Sequence, residues 1–399
     1  MRILYVVHNV PPYEHTGTPL VAMQYAELAL RAGHVAGIAF AANPASGPEP
    51  TLREDGLHLF PIRGSRSMAK LRGFRPDIIH IVDRIYLPAS LPRFVKSIGV
   101  PVIRHICNME DVCAFISPIE FYADGHPCKG PLTVGQCSKC AAQRKSGWAE
   151  WHQLRHSVKV RARWTTFRRH LRDLYSELVF MCDSTRSYFE SIFDLGDVRR
   201  SVITHGIVPP RSNPPLPERL RDGAIRFVFL GPCVERKGWN AIAASFERLL
   251  LESERIRLIV YGGDAAASAR LFQSPRAELR GSFPANELDA VLTSADVGLV
   301  PSTFETFCRA CYEMLGRGIP VIGSDAFGIR DIVEHRRNGL QIGWPTAEAV
   351  EHAVRLLLDQ PDLLERLKAG ARETAIVSAD DEFRRLVALY ESHLAAGRS

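Results

Sequence analysis

The chain has 399 residues and a formal net charge of +6, with 46% hydrophobic and 24% charged residues. This composition excludes a disordered or fibrous protein, and no apolar run reaches the length that spans a membrane. A chain of this length predicts two domains, each large enough to bury a core. The first residues, MRILYVVH, have the pattern of a buried strand and not of a signal peptide, which predicts a cytoplasmic protein.

Strand-like and helix-like segments alternate along the first half of the chain. A strand at 2–8 is followed by a loop and by a helix from about Pro19 to Ala32, with Gly33 as its stop. The pattern predicts a further helix near 92–98 and further strands at 35–40, 57–62, 76–81, 100–106, 177–182 and 201–204. Such alternation is typical of a parallel, doubly wound sheet, so we assign residues 1–206 to a first α/β domain.

A basic segment that also carries tryptophans lies within this first domain, over residues 144–172. Its basic and aromatic residues are Arg144, Lys145, Trp148, Trp151, Arg155, Lys159, Arg161, Arg163, Trp164, Phe167, Arg168, Arg169 and Arg172. Two interpretations stay open. The segment is either an interfacial helix on anionic lipid at the inner membrane face, or a solvated helix whose aromatic residues pack on the protein. No nucleic-acid motif accompanies it, so nucleic acid is not a predicted partner.

Four of the nine cysteines cluster in a loop-rich insertion at about residues 107–145, whose first residue is a fifth cysteine, Cys107. Cys137 and Cys140 have the Cys-x₂-Cys spacing of a metal clip, and Cys113 and Cys128 complete a candidate four-thiolate zinc site. The cytosol disfavours disulfides, so the alternatives are a structural zinc ion and free thiols.

A proline-rich linker at 207–217 separates the first domain from a second β-α alternation. Strands are predicted at 225–231, 256–263, 297–301 and 319–325, and a final helix from about Glu382. We assign 207–381 to a second domain and 382–399 to a C-terminal helix. The predicted fold is α/β, with two Rossmann-like domains and a cleft between them.

The segment 301–315 leads from a predicted strand into a helix and carries two carboxylates at Glu-x₇-Glu spacing, Glu305 and Glu313. Apolar residues at helical spacing, followed by Gly316 and Gly318, predict the helix. A helix start offers free backbone N–H groups and the positive end of the dipole to a phosphate. The two carboxylates differ by about 80° around the helix, so they can reach different parts of an extended ligand such as a nucleotide-sugar.

Ordered motifs fill residues 225–340. They are Gly231, Glu235-Arg236-Lys237-Gly238, Tyr261-Gly262-Gly263, Gly281-Ser282-Phe283, Ala295-Asp296, Pro301-Ser302, the Glu305/Glu313 pair, Gly318-Ile319-Pro320-Val321-Ile322-Gly323-Ser324-Asp325, Phe327-Gly328 and Asn338-Gly339. In this order they resemble family 4 of the retaining glycosyltransferases (the group 1 glycosyltransferases), which have the two-domain GT-B fold. The first half matches more weakly, through the Gly17 loop and residues 76–80 and 99–102.

The resemblance implies that the second domain binds a nucleotide-sugar. Glu305 would contact the donor sugar near the reacting carbon, and Glu313 would hold the ribose hydroxyls. Lys237 and Arg236 would neutralise the departing diphosphate, so that no metal cofactor is required for catalysis. The remaining donor-binding positions would be Gly17, Thr18, Gly231, Gly262, Thr306, Phe307 and Cys308.

The first domain would bind the acceptor, and it departs from the family pattern. Relatives often carry a His-Asp or His-Asn pair after the strand at 100–106, where this chain has Cys107-Asn108. The nearby His105 is either a displaced catalytic group or a hydrogen-bonded core histidine. Asn108 and Glu110 are the acceptor-side candidates. In the second domain, Pro232 replaces an arginine that the family often has there.

The predicted function is retaining transfer of a sugar from a nucleoside-diphosphate sugar, with UDP as the expected nucleotide. The acceptor is a lipid-linked glycan in cell-surface polysaccharide assembly, another glycan, or a small natural product. Two alternatives remain. One is a sugar-nucleotide epimerase or hydrolase on the same fold, and the other is an inactive nucleotide-sugar-binding partner subunit.

Overall fold

The computed structural model describes residues 1–14, 17–41, 51–113, 137–140, 142, 150–208, 223–263 and 274–396. The chain forms two compact units, Met1–Thr204 together with Asp380–Ser399, and His205–Ala379. Each unit contains one sheet of mostly parallel strands, which confirms the predicted α/β class and the two Rossmann-like domains. Most of the predicted linker lies outside the described residues.

The first unit is an eight-stranded sheet with helices along the chain between its strands. The strands are β1 (Arg2–Val7), β2 (Val35–Ala41), β3 (Thr51–Leu52), β4 (His58–Ile62), β5 (Ile78–Ile81), β6 (Val102–Ile106), β7 (Glu177–Phe180) and β8 (Arg199–Val202). The helices are α1 (Gly17–Arg31), α2 (Ser65–Phe74), α3 (Leu91–Lys96), α4 (Glu150–Asp173) and α5 (Asp183–Ile192). The strand order is β3-β4-β2-β1-β5-β6-β7-β8, and β3 alone pairs antiparallel.

The second unit is a six-stranded, fully parallel sheet. Its strands are β9 (Ile225–Leu230), β10 (Ile256–Tyr261), β11 (Ala277–Arg280), β12 (Val297–Val300), β13 (Val321–Gly323) and β14 (Gly339–Gln341). The helices are α6 (Trp239–Glu252), α7 (Leu288–Thr293), α8 (Arg309–Leu315), α9 (Ala347–Asp359) and α10 (Pro361–Glu373), with 3₁₀ turns at Glu235–Lys237 and Ala285–Glu287. The order β11-β10-β9-β12-β13-β14 reverses between β9 and β12, which marks the switch point where such sheets bind ligands.

The last helix, α11 (Ala379–Ala396), is fixed to the first unit by buried polar groups. Tyr25 donates its hydroxyl hydrogen to Glu382, and the hydroxyl of Tyr390 bonds to Nδ1 of His80. Burial, with a smaller contribution from Arg104, lowers the pKa of His80 to about 3, so this ring stays neutral. The final helix is therefore part of the first core. None of the helices in the described part of the chain is long and apolar enough to cross a membrane.

Three strands were missed from the sequence: β3, β11 and β14. All three lie at sheet edges. Both residues of β3 are exposed, and β11 exposes every second residue. Edge strands are short and polar because one side pairs with nothing, so they lack the apolar run that identifies a central parallel strand.

Candidate functional site

A buried cluster of polar side chains in the second unit, formed by Lys237, Glu305 and Ser302, lies beyond the carboxyl ends of β9 and β12. Lys237 lies in the 3₁₀ turn after β9, and its Nζ is 2.6 Å from Oε1 of Glu305 in the loop after β12. Ser302 donates its hydroxyl hydrogen to the same carboxylate oxygen at 2.9 Å. The two side chains are 22% and 8% exposed, so the pair is largely withdrawn from water at the switch point.

Both members of this pair are charged at neutral pH. Burial acts to lower the pKa of Lys237, but the Glu305 carboxylate outweighs it and the pKa is raised. Burial likewise acts to raise the pKa of Glu305, but Lys237 and then Arg236 hold it below its ordinary value. The site therefore presents a permanent cation beside a permanent hydrogen-bond acceptor.

A close backbone approach fixes the distance between the two loops. Gly238 has φ +75°, and a Cβ atom there would lie 1.8 Å from the carbonyl oxygen of Pro301. The amide of Thr303 donates to the carbonyl of Arg236 at 2.9 Å. Only glycine fits at position 238, which explains why a Lys-Gly pair precedes the helix.

The helix that follows Glu305 begins later than the sequence predicts. Helix α8 starts at Arg309, and Cys308 adopts a left-handed φ of 68°. The backbone before it is held by Gly328, where a Cβ atom would lie 2.0 Å from the carbonyl oxygen of Phe307. Residues 306–308, predicted to be part of a helix-start phosphate cradle, therefore form an irregular loop. The sequence could not reveal this contact because it joins residues about twenty positions apart.

Glu313 lies on α8 with a partner of its own. Nε of Arg309 donates to Oε1 of Glu313 at 2.6 Å, an i,i+4 ion pair in which the glutamate side chain is 14% exposed. Arg317 donates to the carbonyl oxygen of Glu313 at 3.0 Å. The carboxylate is thus held in one orientation with part of its surface accessible.

The glycines predicted for the donor site lie at the ends of strands in the second unit and at the start of a helix in the first. Gly231 follows β9 with φ +140°, and a Cβ atom added there would meet nothing within 4 Å. Gly262 follows β10 with φ +82° and packs against the Gly231 backbone, with its added Cβ at 3.1 Å from that carbonyl oxygen. In the first unit, Gly17 and Thr18 form the start of α1, and Gly17 also has open space around it.

The candidate catalytic residue His105 and the acceptor-side candidates Asn108 and Glu110 are all buried in the first unit. His105 is 0% exposed, bonds through Nδ1 to Nε2 of His80 at 3.2 Å, and stacks on Tyr25. This is the surrounding of a hydrogen-bonded core histidine, the second of the two alternatives. Asn108 accepts a bond from the amide of Glu110, and these two residues are 7% and 5% exposed.

Glu110 belongs to a buried ionic network. Arg104 donates to Glu110 at 2.9 Å and to Asp111 at 2.7 Å, and Arg84 also pairs with Asp111. Burial acts to raise the pKa of Asp111, but Arg104 and Arg84 outweigh it and hold it at about 2. Burial raises the pKa of Glu110 to about 7, although Arg104 acts in the opposite direction. These groups brace the loop after β6 and do not line an open surface.

A largely buried polar cluster in the first unit was missed from the sequence. At the ends of β1 and β5, Nδ1 of His8 lies 2.6 Å from Asp83, and its Nε2 lies 3.1 Å from Glu14. Burial acts to lower the pKa of His8, but Asp83 and then Glu14 raise it to about 9. Tyr86 stands beside this imidazolium, 86% exposed and with φ 62°. The available signal was a polar residue within two positions of the end of each of two buried strands, His8 after Val7 and Asp83 after Ile81.

The zinc prediction finds no support among the described residues, which contain no group of three or more His, Cys, Asp or Glu side chains able to hold a metal ion. Cys113, Cys137 and Cys140 form no disulfide within the described part of the chain. Burial raises the pKa of Cys137 to about 11, and the neighbouring Cys113 and Cys140 act in the same direction. Cys128 lies outside the described residues.

A groove of about 840 Å³ lies at the amino ends of β7 and β8 in the first sheet. It is lined by the end of α4 and by the segments that precede β7 and β8, including Arg172, Tyr175, Asp197 and Arg199. Ligands of parallel sheets bind at the carboxyl ends of strands, so this groove is not the candidate active site.

Comparison with solved structures identifies the fold. The chain superposes on a sucrose-phosphate synthase from Thermosynechococcus elongatus with a TM-score of 0.71 and 14% identity, covering 99% of both chains. It superposes on the Anabaena protein HepE, solved in complex with UDP, with a TM-score of 0.68 and 13% identity, covering 98% of this chain and 100% of that one. At these identities the likeness establishes the fold, which is GT-B.

Comparison of sequences identifies the family. Residues 217–374 match the family model described as glycosyl transferases group 1. A GDP-mannose-dependent alpha-mannosyltransferase of Mycobacterium tuberculosis is 27% identical over 282 residues, which cover 69% of this chain and 62% of the relative. A glycogen synthase of the same organism is 26% identical, covering 78% of this chain and 68% of the relative. The resemblance to the group 1 glycosyltransferases that the motifs predicted is confirmed over residues 217–374, and the chain spans about three fifths of the mannosyltransferase.

The close approach of Gly238 to Pro301 predicts a sharp effect of a single methyl group. Gly238→Ala should separate the two loops, weaken nucleotide binding at least 10-fold and lower the thermal midpoint, because the added Cβ clashes with backbone. Binding calorimetry and thermal unfolding measure the two effects.

Gly343→Ala is the matched control, since Gly343 also has a positive φ of 63° but nothing within 4 Å of an added Cβ. It should show only the modest cost of the backbone conformation. Equal nucleotide affinities in the two variants would contradict the assigned role of the contact.

The His8 cluster predicts a pH dependence of stability. The folded pKa of about 9 exceeds the ordinary 6.5, so the stabilisation is complete below about pH 6.5 and is lost as the pH rises through 9. The difference in thermal midpoint between wild type and His8→Gln should therefore shrink between pH 6.5 and 9.5.

His58→Gln provides the comparison, because burial lowers the pKa of His58 and it does not titrate in that range. A wild-type advantage over His8→Gln that stays constant up to pH 9.5 would refute the imidazolium assignment.

Proposed function

We propose that the protein is a retaining glycosyltransferase that moves a sugar from a nucleoside-diphosphate sugar to a hydroxyl group of an acceptor. The observation that carries the proposal is the Lys237–Glu305 pair at the switch point of the second sheet. It combines a fixed cation, suited to a diphosphate, with a fixed carboxylate, suited to sugar hydroxyls.

In this proposal the leaving diphosphate lies against Lys237 and Arg236. The negative charge on the leaving phosphate oxygen grows as the bond to the sugar breaks, so the two cations stabilise the transition state more than the bound donor. They are held before the donor binds, because Glu305 and the Thr303 amide fix the turn that carries them. The residues thus supply the charge that a metal ion supplies in other transferases.

Glu305 accepts hydrogen bonds from the donor sugar in the proposed complex, and Glu313 accepts them from the ribose. Oε1 of Glu305 already binds Lys237 and Ser302, so the remaining acceptor capacity of the carboxylate is available to the sugar. Glu313 is held by Arg309 in a similar way. Backbone groups of Gly231, Gly262 and residues 306–308 complete the proposed donor site.

The transfer we propose proceeds on one face of the sugar. The bond between the anomeric carbon and the leaving phosphate oxygen breaks, the acceptor oxygen forms the new glycosidic bond on the same face, and its proton passes to the leaving phosphate. This balance needs no protein nucleophile. The burial of the candidate catalytic residue His105 in the first core is compatible with a transfer that uses no protein nucleophile.

Two nucleotides compete as the donor carrier. The motifs alone favour a UDP-sugar, and HepE is a structural neighbour solved with UDP. The mycobacterial relative is named for GDP-mannose. We therefore propose a nucleoside-diphosphate hexose as the donor class and treat UDP and GDP as the first two to be compared.

The acceptor is proposed to be a glycan or a small hydroxylated molecule held by the first unit. Relatives include a lipopolysaccharide core biosynthesis glycosyltransferase of Rhizobium meliloti and a 2-deoxystreptamine glucosyltransferase of Streptomyces kanamyceticus. Within the first unit, the exposed ring of Tyr86 and the partly exposed carboxylate of Glu14 suit a sugar ring better than the buried Asn108 and Glu110 do. We give Asn108 and Glu110 a supporting role beneath that surface. A lipid-linked glycan at the inner membrane face is the preferred acceptor.

Calorimetry of UDP, GDP and ADP binding, with and without magnesium, tests the donor site. One nucleotide should bind without metal, and Lys237→Ala should weaken it at least 10-fold, because the diphosphate loses its cation and Glu305 is left buried without a counter-charge. Lys368→Ala is the matched control. Lys368 forms a similarly shielded pair with Asp296 at 3.0 Å, before β12 and so at the other end of that strand.

Binding of no nucleotide to the wild-type protein would reject the proposal in favour of an inactive partner subunit. Equal weakening by the two lysine variants would show that Lys237 acts only through stability.

Turnover tests the role of Glu305. Glu305→Gln keeps the shape of the side chain but removes its charge, so it should lower kcat by two or more orders of magnitude while nucleotide affinity changes much less. Initial rates of sugar release and transfer measure this, with Glu351→Gln, an ion-paired glutamate on α9, as the control. Near-wild-type turnover in Glu305→Gln would refute the assignment, and hydrolysis without transfer would favour the hydrolase alternative.

A further inference from the structure

Helix α4 has a solvent-facing apolar stripe that the proposed donor and acceptor sites do not use. Trp151, Leu154 and Val158 are 58%, 53% and 56% exposed. At about 100° per residue they fall within about 60° of one another around the helix, so they form one stripe. Ala162 extends it by another turn and is also exposed. Large apolar side chains arranged in this way on one helix face indicate a binding surface.

The opposite face of the same helix explains how α4 is held. Val160, Trp164 and Phe167 are buried, and Nε1 of Trp164 donates to the carbonyl oxygen of Val112 at 2.8 Å. The two interpretations of the basic segment therefore apply to different faces. Trp164 and Phe167 pack on the protein, whereas Trp151 points away from it.

The charged residues between Trp151 and Arg172 are all positive. Residues 151–172 contain seven Lys or Arg and no Asp or Glu. Arg155 and Lys159 flank the stripe on one side and Arg161 on the other, and all three are exposed. Exposed arginines continue the positive surface toward the end of the helix, at positions 168, 169 and 172.

We propose that this face of α4 docks on an anionic lipid bilayer. An amphipathic helix with aromatic and aliphatic residues between rows of Lys and Arg lies in the plane of a membrane surface, with its apolar side chains below the headgroups. Each Lys or Arg side chain near an anionic leaflet strengthens the attraction between the protein and the membrane, and the exposed basic residues of α4 act together. The charge complementarity and the apolar stripe thus select the same partner.

A bilayer fits this surface better than a protein partner does. From Trp151 to Val158 the stripe is only about 10 Å long, at about 1.5 Å per residue. A stable protein interface buries about 800 Å² on each partner, usually with an apolar centre wider than a single row of side chains. A lipid surface continues beyond the stripe in every direction, so the bases on both sides can contact it simultaneously.

The inference deepens the proposed function, because a docked enzyme would meet a lipid-linked acceptor at the membrane surface. It rests on that function only for the choice of acceptor. Its test measures binding to vesicles without nucleotide or turnover, so failure of docking and failure of glycosyl transfer are separate results.

The experiment is co-sedimentation of the full chain with vesicles of phosphatidylcholine, with and without 30 mol% phosphatidylglycerol, at low and high salt. The wild type should bind the anionic vesicles at low salt and lose most of the binding at high salt. Removing two bases in Arg155→Gln/Lys159→Gln should reduce the partition constant roughly 25-fold, at about 5-fold for each base. Trp151→Ser/Leu154→Ser should reduce it at least 10-fold.

Matched controls change the same residue types elsewhere. Arg66→Gln/Lys70→Gln removes two exposed bases of α2, and Leu52→Ser/Leu251→Ser removes two apolar side chains that are 63% and 82% exposed. Both should bind like the wild type, and circular dichroism confirms that every variant is folded.

Depth of insertion gives a second, independent measurement. Brominated acyl chains should quench part of the tryptophan emission of the wild type, and Trp151→Phe should lose that quenching while still binding. The proposal is overturned if the wild type does not bind anionic vesicles at low salt. It is also overturned if the α4 variants bind as tightly as their controls, or if quenching persists in Trp151→Phe. Binding of an acidic protein that leaves vesicle binding absent would assign the face to a protein partner instead.

Discussion

The buried ion pair between Lys237 and Glu305 is the constraint on which the second unit depends. Two charges withdrawn from water cost several kcal/mol each unless their geometry is close and their other hydrogen bonds are satisfied. The 2.6 Å contact and the Ser302 hydroxyl meet this requirement. Keeping the pair together requires the turn after β9 and the loop after β12 to touch, which makes position 238 a glycine. The proposed donor site is therefore preformed by the interactions that stabilise the ligand-free fold.

The first unit uses a related arrangement at its own switch point. There the cation follows β1 as His8 and the carboxylate follows β5 as Asp83, at 2.6 Å. In both sheets the cation follows the strand on one side of the order reversal, and the carboxylate follows the strand on the other side. Neighbouring parallel strands bring residues far apart in the chain to one edge, and the open crevice there leaves part of each pair accessible. The shared geometry does not imply shared chemistry, since a titrating imidazolium and a lysine ammonium suit different ligands.

Comparison with relatives separates what the fold fixes from what the loops decide. Structures at 13–14% identity superpose over nearly the whole chain, so very different sequences satisfy the same packing rules. The named activities of the sequence relatives include mannosyl transfer and glycogen synthesis. The same fold is thus compatible with different activities, and the choice among them lies in side chains beyond the core strands.

The sequence by itself determined the class, the group 1 glycosyltransferase motifs of the second half and the central strands, because buried parallel strands carry largely apolar runs and the motifs around Lys237 and Glu305 are local. The resemblance also predicted both residues for one donor site, and only the tertiary structure joined them across 68 positions of sequence. Tertiary structure alone enclosed His105 and Glu110, delayed the helix after Glu305 to Arg309, and divided the basic segment into a packed face and an exposed one. These outcomes depend on contacts between distant segments, such as Gly328 against Phe307, and no local pattern records such contacts.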